Sequence, residues 1–102
     1  MANADAQLAA LSDPTRRQVF QRLQSGGLPV GEIARGLPVT RPAVSQHLKA
    51  LKDAGLVVEA RKGTQRIYSV DPKSVAELRD YFDRFWDVAL DAYRRSLEGG
   101  DA

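Results

Sequence analysis

The residues best suited to chemistry lie in one stretch, residues 40–57, which reads TRPAVSQHLKALKDAGLV. It holds His47, the only histidine of a chain that contains no cysteine. A histidine can bind a metal or act as a catalytic base, but His47 has no acidic residue three or four positions away to orient it. The chain also lacks a Gly-x-Ser-x-Gly elbow and a phosphate loop. These features predict no enzyme and leave His47 half-buried at the flank of a helix.

The polar residues of this stretch suggest recognition of a polyanion instead. At 100° per residue, Val44, Leu48 and Leu51 share one apolar face of a helix. The other side carries hydroxyl, amide and cationic groups, which suit base edges and phosphates, and residues 40–52 contain no acid. A merely solvated polar face is the alternative, although such faces commonly carry Glu. The candidate DNA contacts of this helix are Thr40, Arg41, Pro42, Ser45, Gln46, His47, Lys49 and Lys52.

Charge is unevenly distributed along this 102-residue chain, whose formal net charge is +2. Residues 14–73 carry 11 Lys or Arg against four acids, whereas the flanking segments carry four Arg against nine acids. A basic middle favours a polyanion-binding unit, although an ordinary solvated surface can show the same imbalance. The sequence shows no signal-peptide pattern and no apolar run long enough to span a membrane. We expect one cytoplasmic domain, residues 1–102, with no membrane partner.

Capping and breaking residues predict the elements that position these side chains. Ser12 or Asp13 with Pro14, Thr40 with Pro42, and Asp71 with Pro72 are helix starts, whereas glycines mark the ends. Expected helices span 6–11, 14 to the Gly26-Gly27 stop, 30–35, 41–54 and 72–97; strands span 57–60 and 66–70; tails span 1–5 and 98–102. The order α-α-α-α-β-β-α describes a mainly α (α+β) domain with a small β-hairpin.

A two-turn helix, a turn containing Gly and a longer helix form a helix–turn–helix pattern at residues 30–54. The hairpin that follows carries Arg61, Lys62 and Arg66 around Gly63. A basic hairpin tip alone is usually only solvated, but one placed directly after a helix–turn–helix is a wing. Such a tip suits a phosphate backbone or a minor groove.

Four segments together resemble the ArsR/SmtB-type winged helix–turn–helix repressors: LSDPTRRQVFQRL, VGEIARGLPVTRPAVSQHLKAL, DAGLV and RKGTQRIYSV. The resemblance covers about residues 8–97 and implies a homodimeric, cytoplasmic regulator that binds double-stranded operator DNA and releases it on a signal. It assigns base reading to Ser45 and Gln46, and phosphate contacts to Arg41, Lys49 and, more weakly, Lys52. It also implies that the wing residues contact the backbone or minor groove and that Thr40 can meet a phosphate.

The family's metal-sensing motifs are absent from the matching positions. Metal-sensing members carry cysteines on the helix that matches residues 30–35, or His and acidic ligands on the helix that matches 72–97. Here the first reads VGEIARG, and the second offers only Asp80, Asp83, Asp87 and Asp91. Carboxylates alone favour hard cations, and a solvated face with interleaved arginines is the favoured interpretation. We predict no metal and no cofactor. The chain resembles the metal-independent branch often found beside SRPBCC/START-type proteins, whose effector is unidentified.

The last helix is rich in aromatic residues: five of the seven in the chain fall within residues 81–93. Its apolar stripe spans about 140° along about 39 Å, too much for one small core to cover. We expect a homodimer, which would read a palindrome with two recognition helices about 34 Å apart. A small-molecule pocket between two such helices, and a module that binds only protein partners through this helix, are the alternatives. The expected dimer contacts are Leu8, Leu11, Leu78, Tyr81, Phe82, Phe85, Trp86, Ala89 and Tyr93.

Overall fold

A computed structural model describes residues 4–99 of the chain. Within that range the elements, in chain order, are α1 (Ala4–Ala10), α2 (Pro14–Gln21), β1 (Leu28–Pro29), α3 (Val30–Ala34), α4 (Arg41–Asp53), β2 (Val57–Lys62), β3 (Gln65–Val70) and α5 (Pro72–Glu98). The three strands form an antiparallel sheet in the order β1-β3-β2. The predicted winged-helix architecture, mainly α with a small sheet, is confirmed.

The predicted element order needs one correction, because the sheet has a third strand. Leu28 and Pro29 pair with Tyr68 and Ile67 of β3. The order is therefore α-α-β-α-α-β-β-α, with β1 placed between α2 and α3. A two-residue segment that contains proline has no recognisable strand pattern, and proline is tolerated here because β1 is an edge strand.

The predicted tails are also shorter in the structure. Helix α1 begins at Ala4, so residues 4 and 5 are helical, and α5 includes Glu98. Gly99 is the C-cap of α5, and the remaining parts of the predicted tails, residues 1–3 and 100–102, lie outside the described range.

The predicted helix starts are confirmed by side-chain caps. Asp13 accepts a hydrogen bond from the Arg16 backbone N–H at 3.0 Å, and Asp71 accepts one from that of Lys73 at 3.1 Å. Thr40 Oγ1 accepts from the Ala43 N–H at 3.2 Å. Each bond satisfies a backbone donor that the first helical turn leaves unpaired.

The end of α4 forms a Schellman motif that directs the chain into the wing. Gly55 has φ +81°, and its N–H donates to the Lys52 carbonyl at 2.9 Å. The N–H of Leu56 donates to the Leu51 carbonyl, also at 2.9 Å. Leu56 is fully buried, and its carbonyl accepts from the Asp71 N–H at 2.9 Å. The two ends of the β2–β3 hairpin are thereby fastened beside the end of α4.

The core lies where α2, α3, α4 and the start of β2 meet. Val44, Leu48 and Leu51 are fully buried, which confirms the predicted inward face of α4. The remaining buried apolar residues are Ala10, Val19, Leu23, Ile33, Ala54, Leu56 and Val57.

Helix α5 extends well beyond this core. The molecule measures 64 × 26 × 21 Å and has a radius of gyration of 17.8 Å. A compact chain of this length has a radius of gyration of about 13 Å. No helix within residues 4–99 is long and apolar enough to cross a membrane.

Candidate nucleic-acid interface

The outer face of α4 is an exposed polar surface of the helix–turn–helix. Ser45 and Gln46 are both exposed, on the side opposite Val44 and Leu48. Within residues 4–99, neither side chain forms a hydrogen bond with the protein. Their donors and acceptors are therefore free for an external partner such as a base edge.

The first turn of α4 presents an exposed cation next to α3. Thr40, Arg41 and Pro42 are all exposed. The Arg41 guanidinium lies over Gly31, where an added β-carbon would be 3.6 Å from Cζ of Arg41. Arg41 lines a cleft of about 370 Å³ together with residues of α3 and Gln65 of the wing.

Lys49 lies one turn further along α4 and forms an ion pair with Asp53 at 2.9 Å. Both side chains are largely exposed, at 76% and 65%. An exposed pair four residues apart on a helix contributes only about 0.3–0.5 kcal/mol. Lys49 is therefore readily available to a phosphate.

Lys52 and Arg66, both predicted DNA contacts, meet at a carboxylate that the sequence interpretation did not single out. Lys52 Nζ lies 2.7 Å from Glu59 Oε1, and Arg66 Nε lies 3.4 Å from Glu59 Oε2. The hydrogen bond from Lys52 to Glu59 lowers the pKa of Glu59 and raises the pKa of Lys52. These two cations are thus already paired with Glu59 in the protein.

The tip of the wing carries the other two predicted cations. Arg61 and Lys62 are exposed and form no ion pair within the described part of the chain. Lys62 pairs with Gln65 across a two-residue loop, in which Gly63 has φ +63°. A positive φ at the first loop position suits glycine and closes a tight hairpin. The tip therefore presents two free positive charges.

His47 is half-buried, which confirms its predicted position at the flank of α4. In the fold, His47 has an acidic neighbour, Asp13, although no acid lies three or four positions away from His47 in the sequence. The backbone N–H of Arg16 lowers the pKa of Asp13, and the electrostatic field of His47 contributes to the same shift. The carboxylate belongs to the cap of α2, so only the packing of α2 against α4 brings the two residues together.

A second contact missed by sequence reasoning is made by Arg22, which follows α2. Its Nη2 donates to the Glu32 carbonyl at 2.7 Å, and its Nε donates to the Ile33 carbonyl at 3.4 Å. Helix α3 has only five residues and no side-chain cap at its start. Arg22 satisfies carbonyls near its end and so holds the first helix of the helix–turn–helix against α2.

The aromatic stripe of α5 is exposed in the isolated chain. Tyr81 packs edge-to-face with Phe82, and Phe85 packs likewise with Trp86. Phe85 is 53% exposed and Trp86 56%, far more than an ordinary core position allows. The expected dimer contacts divide into exposed residues, Tyr81, Phe82, Phe85, Trp86 and Tyr93, and half-buried residues, Leu8, Leu11, Leu78 and Ala89.

The aspartates of α5 are partly engaged by arginines. Asp83 lies 3.9 Å from Arg79, and Asp91 contacts both Arg94 and Arg95. Within residues 4–99, no three His, Asp or Glu side chains come together in a group that could hold a metal ion.

Comparison with known proteins places this arrangement among transcriptional regulators. A helix–turn–helix domain family matches residues 11–60. The transcriptional regulator Rv2034 of Mycobacterium tuberculosis is 54% identical over 94 residues, covering 90% of this chain and 88% of that protein. The transcriptional repressor SdpR of Bacillus subtilis is 39% identical over 62 residues, covering 61% and 69% respectively. A solved ArsR-like regulator from Rhodococcus sp. RHA1 matches with a TM-score of 0.76 at 29% identity, covering 90% of each chain. These relatives are named as regulators, not as enzymes.

Proposed function

Because the chain belongs to the ArsR/SmtB family of winged helix–turn–helix DNA-binding transcriptional regulators, we propose that it is a homodimeric repressor of a palindromic operator. The observation that carries this proposal is the outer face of α4, where Ser45 and Gln46 are exposed and their side chains form no hydrogen bond with any of the described residues. No acid occurs in residues 40–52 to repel a phosphate. Repression is also the activity named for SdpR.

The residues of the interface divide by the chemistry of their side chains. Ser45 and Gln46 read base edges in the major groove, because hydroxyl and amide groups can both donate and accept hydrogen bonds there. The cations of α4, Arg41 and Lys49, contact phosphates and fix the register of the helix. His47 and Thr40 support the same contacts from the flank and the first turn, and Pro42 packs beside the backbone.

The wing extends the interface beyond the major groove. Arg61 and Lys62 lie at an exposed tip without internal ion pairs in the described residues, so they are free to contact the backbone or the minor groove. Lys52 and Arg66 are also within this surface, but a phosphate that binds Lys52 Nζ or Arg66 Nε competes with Glu59.

Dimerisation through α5, together with α1, is the second part of the proposal. Six large apolar residues of the stripe are more than half exposed in one chain: Phe85, Trp86, Val88, Leu90, Tyr93 and Leu97. A second copy would bury them and place two recognition helices about one turn of DNA apart, about 34 Å, as a palindrome requires.

We also propose that DNA release needs no metal. The cysteines of metal-sensing members are missing from the matched helix, and the α5 aspartates have no histidine beside them. Zinc at equimolar and tenfold excess should leave operator affinity unchanged. Loss of DNA binding on adding zinc, reversed by a chelator, would refute this part alone.

The test is equilibrium binding to DNA from upstream of the protein's own coding sequence. Fluorescence anisotropy at several salt concentrations should show that affinity falls steeply with salt. The slope of log affinity against log salt concentration should be about −0.9 for each phosphate neutralised. A footprint on the same DNA should show two protected half-sites. Absent or salt-insensitive binding would overturn the proposal and favour the alternative, a winged-helix module that binds only protein partners through the exposed aromatic stripe.

A further inference from the structure

Glu59 joins two elements that the proposed interface uses. Its side chain, on β2, is 20% exposed and contacts both Lys52 of α4 and Arg66 of β3. Every other ion pair found in residues 4–99 joins side chains three or four positions apart on one helix or its end. The Glu59 cluster is thus the electrostatic link between the recognition helix and the wing.

The cluster also offsets a repulsion inside the wing. Arg61 and Arg66 are directly opposite each other across the β2–β3 ladder, on the same face as Glu59 and Tyr68. Like charges at directly opposed positions destabilise a hairpin. The carboxylate of Glu59 compensates Arg66, which lets Arg61 stay unpaired and exposed at the tip.

We propose that Glu59 determines the specificity of DNA binding: it holds Lys52 and Arg66 so that they position the wing against α4 and are withheld from non-specific phosphates. The inference rests on the proposed function. A carboxylate accepts hydrogen bonds from these cations as a phosphate oxygen does. A DNA phosphate that takes Lys52 Nζ or Arg66 Nε must therefore compete with a carboxylate whose side chain is only 20% exposed. Only a duplex that also satisfies the base-reading face of α4 compensates for displacing that carboxylate.

The pKa shifts agree with this arrangement. Contact with Lys52 lowers the pKa of Glu59, and the same contact raises the pKa of Lys52. Both groups therefore stay ionised across the neutral range, and the link is present whenever the protein meets DNA.

The test is Glu59→Gln, which keeps the shape of the side chain and removes its charge. Binding is measured to two probes of equal length, a duplex from the protein's own upstream region and a random-sequence duplex. Two released cations should steepen the salt slope for the random duplex by about 1.8, so that raising salt from 50 to 200 mM weakens its binding about tenfold more than for wild type. Preference for the upstream duplex should fall. An unchanged slope and preference would overturn the proposal.

Asp53→Asn is the matched control because it changes net charge equally and frees Lys49 from an exposed pair within one helix. It should leave the preference between the two duplexes close to that of wild type. If Asp53→Asn lowers the preference as much as Glu59→Gln does, net charge alone explains the effect and the proposal fails.

A measurement without DNA separates this inference from the proposed function. Amide hydrogen exchange in β2 and β3 should be faster in Glu59→Gln than in wild type or Asp53→Asn, because the wing loses its link to α4. If β2 and β3 of Glu59→Gln exchange their amide hydrogens at the wild-type rate, Glu59 does not position the wing against α4. If wild type binds neither duplex, the DNA-binding proposal fails and the specificity role of Glu59 fails with it. If exchange in β2 and β3 is nevertheless faster in Glu59→Gln, the structural link from Glu59 to α4 and β3 stands.

Discussion

A β-carbon added to Gly27 would lie 2.8 Å from Cγ2 of Ile67, closer than side chains approach one another. It would also lie 3.3 Å from the carbonyl oxygen of Tyr68. Gly27 directly precedes β1, and Tyr68 and Ile67 are the two residues that pair with that strand. The absence of a side chain at Gly27 is therefore what lets the short edge strand approach β3.

Gly27→Ala should consequently destabilise the fold, by about 1–3 kcal/mol in the free energy of unfolding, as overpacking typically does. Urea denaturation followed by circular dichroism measures the change. Gly31→Ala is the control, because its new methyl would meet Arg41 at 3.6 Å, an ordinary contact, inside helix α3. That variant should match wild type or exceed it by up to about 1 kcal/mol. Equal stability of Gly27→Ala and wild type would contradict the packing argument.

Gln46→Ala and Lys49→Ala should weaken DNA binding in different ways. Loss of a base contact at Gln46 should cost about 1–3 kcal/mol on the preferred operator and relax selection at one base position. Loss of a phosphate contact at Lys49 should lower affinity for all duplexes alike and reduce the salt slope by about 1. Binding-site selection followed by salt titration distinguishes them. An unchanged base preference in Gln46→Ala would remove that residue from the reading face.

The exposed stripe of α5 should be the dimer interface, so Phe85→Glu should yield a monomer in sedimentation experiments. A charge at a buried apolar contact has no partner to offset its desolvation. Val58→Glu is the control, because Val58 is 43% exposed but lies on β2, away from the stripe. Wild-type protein sedimenting as a monomer at micromolar concentration would contradict the dimer.

Trp86 provides an independent optical measure of the same association. It is the only tryptophan in the chain and is 56% exposed in a single copy. Its fluorescence should shift to the red on dilution, as the dimer dissociates and water reaches the indole. Emission that does not change with concentration across the dissociation range would place Trp86 outside the interface.

The capping carboxylate of α2 should make stability depend on pH at the acid end. The N–H of Arg16 lowers the pKa of Asp13 below its ordinary value of 3.8. A lowered pKa contributes stability above the unfolded-state value, and this contribution is lost as pH falls through the folded-state value. Asn also caps helices but does not titrate, so Asp13→Asn should lose less stability than wild type between about pH 5 and pH 3. Thermal unfolding of both proteins across that pH range measures the difference in lost stability.

Asp80→Asn is the control for this experiment, because Asp80 is exposed and has no ion pair in the described residues. Its acid profile should follow that of wild type. If Asp13→Asn shows the same acid profile as Asp80→Asn, Asp13 does not contribute to the acid dependence.

Much of the helix–turn–helix could be predicted from the sequence because its signals are local. Asp13, Thr40 and Asp71 cap the helices they precede, and Gly55 ends α4 as expected. The spacing of Val44, Leu48 and Leu51 predicted the buried face of α4, and with it the exposed face of Ser45 and Gln46. Capping and helical periodicity depend on residues within four or five positions of one another, so the chain alone determines them.

Contacts between residues far apart in sequence were decided only by the tertiary structure. Strand β1 forms because β3, which follows Gly27 by some forty residues in the chain, passes beside that glycine. Glu59 looked like one acid in a basic region until the packing of the wing on α4 placed it between Lys52 and Arg66. Likewise, the packing of α4 on α2 brings His47 close enough to Asp13 to help lower the pKa of that carboxyl, after the backbone N–H of Arg16. Thus the sequence by itself determined which face of α4 is polar, whereas packing decided which of its cations stay free, because pairing depends on distances that local spacing does not encode.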